Sequence, residues 1–314
     1  MIRGLHHVTA TVTDARADLA FYSDLLGLRL VKKTVNFDNT GVYHLYYGDE
    51  LGRPSTLMTT FPYGGQGVRV GTHGAGQIRV TSLSVPPGAL EYWRERIVDR
   101  DVRYEEPEPA FGEPSLLIRD PSGLRIELVE TEADGREPWT GGGIPENAAI
   151  RGLHGVTFPV HTPGDSLELL LDVFGFQATD RTASRTRIAL GNGGPGAFID
   201  VVHDPDAPEG INGLGTVHHV AMAVPTAEEQ LELRGALIDL GYSVTEVKDR
   251  QYFTSIYFRE PGGVLYEIAT DGPGFTIDED AAKLGHELKL PPWEEPRRDA
   301  IAAKLPPLSS DARA

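Results

Sequence analysis

The residues best able to do chemistry in this chain are histidines set in adjacent pairs. Arg3-Gly-Leu-His-His-Val-Thr9 opens the sequence, Arg151-Gly-Leu-His-Gly-Val-Thr157 repeats it half a chain later, and Thr216-Val-His-His-Val-Ala221 is a looser occurrence. Near-identity at that separation marks a duplication. The copies have parted in chemistry: His6-His7 and His218-His219 offer imidazoles for a metal or a proton, whereas His154-Gly155 has lost one. Carboxylates recur as well. Asp120-Pro-Ser-Gly-Leu-Arg-Ile-Glu127 overlies Glu260-Pro-Gly-Gly-Val-Leu-Tyr-Glu267, in each case a tight turn into a strand bearing a glutamate. The sequence has no cysteine, so disulfides, thiolate zinc sites and cysteine nucleophiles are excluded, leaving His, Asp and Glu as metal ligands.

Strand alternation sorts these candidates, because neighbouring residues of a strand point to opposite faces. His6 shares its face with Val8, Ala10 and Val12, and His7 with Thr9 and Thr11. His218 goes with Val220, Met222 and Val224, and His219 with Ala221 and Ala223. The larger apolar faces are expected to pack under helices, which leaves His7 and His219 on the wetter faces as ligand candidates. Glu267, on the last strand of the unit that contains His219, is the third. Two neutral imidazoles and one carboxylate on one side of an ion leave about three positions open, the facial arrangement of non-haem Fe(II) oxygenases.

Four units must position these groups, each reading β-α-β-β-β or a part of it. The first runs from Leu5 to Phe61: a strand at Leu5–Val12, an N-cap at Thr13-Asp14, a helix over Ala15–Leu26 closed by Gly27, and strands at Leu28–Phe37, Val42–Tyr47 and Thr56–Phe61. The second, Gln77 to Thr131, has its helix at Ala89–Asp99. The third spans Leu153–His203, with a helix from Ser166 to Phe174. The fourth spans Gly215–Thr270, where Thr226-Ala-Glu-Glu229 has the form of a capping box. Residues 1–131 are thus read as an N-terminal half, 132–150 as a Gly- and Pro-rich linker, 151–271 as a C-terminal half and 272–314 as a tail. The tail, with Asp278-Glu-Asp280, wraps the surface or caps an opening.

Composition sets the outer bounds. A hydrophobic content of 40% and a charged content of 24% are those of a folded globular protein. The formal charge of −17 argues against nucleic acid or an anionic membrane as partner. No run has the apolar length of a membrane helix and no signal-peptide core follows Met1, so the expected location is the cytoplasm.

Four such units, with His on first strands and Glu on last strands, resemble the vicinal-oxygen-chelate superfamily. Within it the chain is most similar to the hydroquinone-type ring-cleaving dioxygenases. The resemblance rests on Leu5-His-His-Val-Thr9, Tyr43-His-Leu-Tyr-Tyr-Gly-Asp-Glu-Leu-Gly52, Met58-Thr-Thr-Phe-Pro62, Val217-His-His219, Tyr252-Phe-Thr-Ser-Ile-Tyr257, Pro261-Gly-Gly-Val264 with Glu267, and Gly274-Phe-Thr-Ile-Asp-Glu279. It implies an α+β fold of four βαβββ modules forming two curved mixed-sheet troughs. It also implies a metal on His7, His219 and Glu267, either Fe(II) or Mn(II). Positions matching Tyr257, Arg250, His218, His6 and Thr9 lie just behind the ligands in those relatives. A tyrosine hydroxyl on the trough side could hold a phenolate oxygen or pass it a proton, and Arg250 could pair with a ring oxyanion. His6 and His218 conflict with simple alternation. Either a bulge turns them inward or the trough is reached from between units.

The extradiol catechol dioxygenases build their site from units three and four, with a first-strand His in unit three. Here that position is Gly155, so unit one must face unit four, and units two and three must pair with each other. Glu127 is then spare: unit two has Ile78-Arg79 where the histidines would stand, so Glu127 is expected to have a structural or surface role. Tyr43, His44, His73, His161, His203 and His286 have no partner that the sequence identifies. The expected activity is opening of a hydroquinone- or catechol-type ring with O₂, the partners being that small aromatic and O₂, and the assembly a homo-oligomer. A metal-dependent glyoxalase-type isomerase or lyase is the alternative, although such sites use four protein ligands. A metal-free drug-binding protein of the bleomycin-resistance kind is the third.

Overall fold

Each unit starts with a strand whose alternate residues are large and apolar, and a helix follows to cover that face. The computed structural model describes residues 2–308 apart from Ala133 and Asn192; the last residues of the tail and one linker position lie outside the described residues. Unit one comprises β1 (Gly4–Val12), α1 (Ala15–Leu19), β2 (Arg29–Asn36), β3 (Asn39–Gly48) and β4 (Leu57–Pro62). Unit two comprises β5 (Val80–Val85), α2 (Ala89–Asp99), β6 (Tyr104–Glu105), β7 (Ser115–Arg119) and β8 (Arg125–Glu130). Unit three comprises β9 (Gly152–Val160), α3 (Gly164–Glu168), β10 (Gln177–Arg181), β11 (Arg185–Ala189) and β12 (Phe198–His203). Unit four comprises β13 (Thr216–Val224), α4 (Ala227–Asp239), β14 (Lys248–Asp249), β15 (Thr254–Arg259) and β16 (Leu265–Thr270). A short helix, α5 (Arg298–Ala302), lies in the tail.

The helices of units one and three are not the uniform α-helices expected. After α1 the backbone widens into a π-helix over Ala20–Leu25, and after α3 it does so over Leu169–Val173. The extra residue per turn keeps Phe21, Tyr22 and Leu25, and in unit three Leu169 and Leu170, buried. The expected caps are in place: Asp14 accepts from the amides of Arg16 and Ala17, and Thr226 from that of Glu229. Among the described residues no helix is long and apolar enough to cross a membrane.

Two eight-stranded mixed sheets result, and each takes one unit from each half of the sequence. The first has the order β14-β15-β16-β13-β1-β4-β3-β2, joining units four and one; the second, β10-β11-β12-β9-β5-β8-β7-β6, joins units three and two. This is the expected pairing. Val8, Ala10, Val12, Val220, Met222 and Val224 all lie in the main core, which confirms the face assigned to the helices.

The first sheet curls until its two edges meet. Arg250, just past β14 at one edge, donates to Asp38, just past β2 at the other, over 3.0 Å. The tail closes the same seam. Lys32 of β2 is fully buried and pairs with Asp278 at 2.7 Å and Glu279 at 2.6 Å. Tyr252 donates to Asp278 at 3.1 Å, and the ring of Phe275 lies 5.0 Å from Tyr46 and 4.8 Å from Tyr252. Removing one member of a buried ion cluster leaves charge without compensation, at a cost of about 3–5 kcal/mol. Lys32→Met is therefore expected to lower the urea midpoint strongly, and pairing it with Glu279→Gln should recover part of the loss.

A buried acid locks α1 onto this sheet. Asp18 accepts from Tyr47 at 2.7 Å and from Thr60 at 2.6 Å. Burial, reinforced by the nearby Asp120 and Asp14 charges and opposed by these two hydrogen bonds, pushes its pKa up to about 7. Between the ordinary carboxyl value of about 4 and about 7 the folded state therefore holds a proton that the unfolded state has lost. Stability falls as pH rises through that window. Asp18→Asn should remove this slope, so that the variant's melting temperature gains on the native protein from pH 5 to pH 8, by the equivalent of roughly a few kcal/mol.

Candidate metal centre and active-site cavity

Strands β1 and β13 meet at the middle of the first sheet, and each carries a bulge at a histidine. Leu5 pairs with Met222 and His7 with Ala221, so His6 is an extra residue. Thr9 pairs with His219 and Ala10 with Val217, so His218 is extra on the other strand. A bulge sets two residues against one and re-aims a side chain. Both members of each pair thereby reach the same side. Nδ1 of His6 lies 2.8 Å from Nδ1 of His7, and the Nδ1 atoms of His218 and His219 are also 2.8 Å apart. Of the two routes by which His6 and His218 could approach the trough, the bulge is the one observed.

Three side chains converge between these strands. Nε2 of His7 is 3.2 Å from Nε2 of His219, and Oε2 of Glu267 is 3.3 Å from the first and 2.8 Å from the second. All three residues are buried. The other carboxylate oxygen accepts from Ser255 Oγ, whereas buried Oε2 receives no well-directed hydrogen bond despite its closeness to His219. With each Nδ1 engaged by a neighbouring histidine, each Nε2 is left to face Glu267. Three lone-pair donors aimed at one point, with their outer atoms already held, fit a divalent cation. Burial alone would raise the pKa of Glu267; His7 and His219 together outweigh it and hold the carboxyl well below the ordinary value. Burial lowers that of His219 against the pull of Glu267, and lowers His6 and His218 to about 3, helped by His7 and His219 respectively. These three imidazoles are neutral at pH 7, the form in which a histidine binds metal.

Above the triad lies a cavity. Its apolar walls are Phe37, Phe61 and Phe253, and its polar ones are Arg250 and Tyr257 from unit four and Asn36, Asp38, His44 and Tyr46 from unit one. Tyr257 is the direct cross-strand neighbour of Glu267. Its hydroxyl accepts from Arg250 Nε at 3.0 Å. Burial raises the Tyr257 pKa, as does the Glu267 charge, against the opposing Arg250. The phenol therefore keeps its proton and, with its oxygen occupied by Arg250, can give that proton to the cavity. Thr9 is placed differently: its hydroxyl is 2.7 Å from that of Thr59, and it does not line the cavity.

His44, which had no partner in the sequence, is a wall residue, and Tyr46 and Asp38 join it. Alternation in Tyr43-His-Leu-Tyr-Tyr47 puts His44 and Tyr46 on one face, but only the pairing of β3 shows what that face meets. His161, by contrast, bonds the carbonyl of Ala207 at 2.8 Å, away from the site.

The second sheet has the same frame without the donors. Its β5–β8 register sets Ser82 against Glu127 as β13–β16 sets Ala221 against Glu267. Counting back, Arg79 and Val80 hold the places of His218 and His219, one residue later than the expected Ile78-Arg79; neither is a ligand. Gly155 holds the place of His7, where a Cβ would lie 2.8 Å from the carbonyl oxygen of Phe198. Glu127 accepts from Ser82 at 2.6 Å and Ser115 at 2.8 Å. His154 turns to Glu113 at 3.2 Å, and Arg187 joins Glu113 to Asp200. This trough is filled by its own hydrogen bonds and ion pairs.

Residues 4–128 and 152–268 match the glyoxalase/bleomycin resistance protein/dioxygenase superfamily. A Bacillus subtilis (strain 168) protein named provisionally as a ring-cleaving dioxygenase, MhqE, is 43% identical over 305 residues, covering 97% of this chain and 99% of that one. The chlorohydroquinone/hydroquinone 1,2-dioxygenase of Sphingobium indicum is 39% identical over 96% of this chain and 95% of its own. A solved structure of a provisionally named dioxygenase from Bacillus subtilis subsp. subtilis str. 168 superposes with a TM-score of 0.93 at 41% identity, covering 98% of each chain. With both halves matched and full-length relatives at this identity, the chain belongs to the glyoxalase/bleomycin resistance protein/dioxygenase superfamily.

Proposed function

We propose that this chain is a ring-cleaving dioxygenase that opens a hydroquinone-type aromatic with O₂, using Fe(II) held by His7, His219 and Glu267, with Mn(II) as the alternative ion. The observation that carries this reading is a three-donor site at the floor of a cavity walled by aromatic rings. Similarity over the full chain to dioxygenases, one of them named for hydroquinone, supports it. A glyoxalase-type site needs a fourth protein ligand, and among the described residues the cluster contains three.

Iron in such a site supplies Lewis acidity toward a phenolic oxygen and the redox chemistry that O₂ requires. The chain's own residues do the rest. Phe37, Phe61 and Phe253 give the ring a dry slot. Tyr257, fixed by Arg250, presents its proton to the ring oxygen at the floor. Arg250 brings positive charge to that oxyanion and is itself steadied by Asp38. His6, His218 and Ser255 fix the orientation of the three ligands. Metal-loaded protein is expected to consume hydroquinone with equimolar O₂ and no thiol. Turnover of a hemithioacetal without O₂ uptake would instead favour the isomerase.

A further inference from the structure

His44 and Tyr46 belong to the cavity, yet neither touches the triad, Arg250 or Tyr257 in any hydrogen bond described above. They are alternate residues of β3, on one face. The sheet register ties them to the metal floor: Tyr46 pairs with Thr59 on β4, Thr59 with Thr9 on β1, and Thr9 with His219 on β13. Side chains run along this row without a gap. Thr9 Oγ1 is 2.7 Å from Thr59 Oγ1, Thr59 Oγ1 is 3.0 Å from His44 Nε2, and His44 Nδ1 is 2.8 Å from the Tyr46 hydroxyl.

A neutral imidazole has one N–H, so this chain has two proton arrangements. In one, Tyr46 donates to Nδ1, and Nε2–H donates to Thr59. In the other, Thr59 donates to Nε2, and Nδ1–H donates to the Tyr46 oxygen, which frees the Tyr46 proton for the cavity. The Tyr46 hydroxyl can thus give or accept a hydrogen bond without moving. Its ring cannot easily shift, being packed 4.0 Å from His44 and 5.0 Å from Phe275. Its place is opposite Tyr257: in the strand order Tyr257 stands two strands from His219 on one side of the β1–β13 seam, and Tyr46 two strands from His7 on the other.

We propose that Tyr46, oriented by His44, is a second hydroxyl-recognition point that binds the ring oxygen remote from the metal, and so selects rings with two hydroxyls on opposite carbons. This rests on the ring-cleaving reading above. A ring oxygen at the metal is within reach of Tyr257 and Arg250; the oxygen across the ring is left for the opposite wall. Because the oxygen of Tyr46 can switch between donor and acceptor, it serves that group both as a hydroxyl and as an oxyanion. His44 acts through Tyr46 and is a positioning residue.

The test uses iron-loaded enzyme, with O₂ uptake on hydroquinone and phenol as a competitive inhibitor that lacks the second hydroxyl. Tyr46→Phe is expected to lower kcat/KM for hydroquinone about 10-fold, mainly through KM, the usual size for one neutral hydrogen bond. The Ki of phenol and the iron content should stay within about twofold, far less than that loss. His44→Phe should act in the same direction, and His44→Gln, which keeps a donor and an acceptor, should restore part of the loss. Equal losses for hydroquinone and phenol, or an unchanged KM in Tyr46→Phe, would overturn the assignment while leaving the ring-cleaving reading intact. Failure of the native iron-loaded enzyme to take up O₂ with hydroquinone would overturn both.

Discussion

Replacing His7 by alanine is expected to remove bound metal and all ring-opening activity, while Glu127→Gln leaves both in place. In the proposed site three donors share one ion, so losing one leaves two ligands and an opened cavity beside Glu267, whose Oε2 keeps only His219, 2.8 Å away. Glu127 stands at the equivalent position of the other sheet, but its carboxylate is held by Ser82 and Ser115, and the places of the two imidazoles are taken by Val80 and Gly155. Metal analysis after anaerobic loading reads both variants. Retention by the His7 variant with loss by the Glu127 variant would mean that the wrong trough has been chosen.

The second large effect concerns Tyr257. Its hydroxyl is held by Arg250 beside the triad, and its strand neighbour is Glu267 itself, yet it is not one of the converging donors. Tyr257→Phe should leave iron stoichiometry unchanged and lower turnover by about 10²- to 10⁴-fold, the usual range for losing a positioned proton donor or acceptor. A tyrosine that only filled space would behave otherwise: the phenylalanine variant would lose some melting temperature and keep its rate. Iron content, melting temperature and O₂ uptake on one preparation distinguish the two.

What could be read before folding was whatever depends on local pattern. The repeated Arg-Gly-Leu-His frame announced the duplication, and the glycine in its third-unit copy required unit one to face unit four, which the sheet order shows. Alternation selected His7 and His219 over their neighbours, and the matched turns selected Glu267; the fold brings those three together. Alternation also hid something. It assumes a regular ladder, so it could not say that His6 and His218 sit in bulges, an outcome set by how β1 and β13 register against each other. The one-residue misplacement at Arg79-Val80 had another cause: only the pairing of Ser82 with Glu127 sets where β5 lies against β8. His44, Tyr46 and Asp38 were illegible for a different reason. They become wall residues only when the sheet curls far enough for the loop after β2 to meet the loop after β14. The tail's role was equally hidden, because Lys32 gives no sign in sequence that its partners lie at Asp278 and Glu279.

In the proposed reading, units one and four together hold one catalytic metal. The most direct measurement is a crystal structure of the protein loaded anaerobically with Fe(II), with the ion located by its anomalous signal. A single ion per chain is expected, bonded to Nε2 of His7, Nε2 of His219 and a carboxylate oxygen of Glu267, with its open side toward Tyr257 and the aromatic walls. An ion beside Glu127 and His154, or none at the His7–His219–Glu267 triad under conditions that support O₂ uptake, would contradict it.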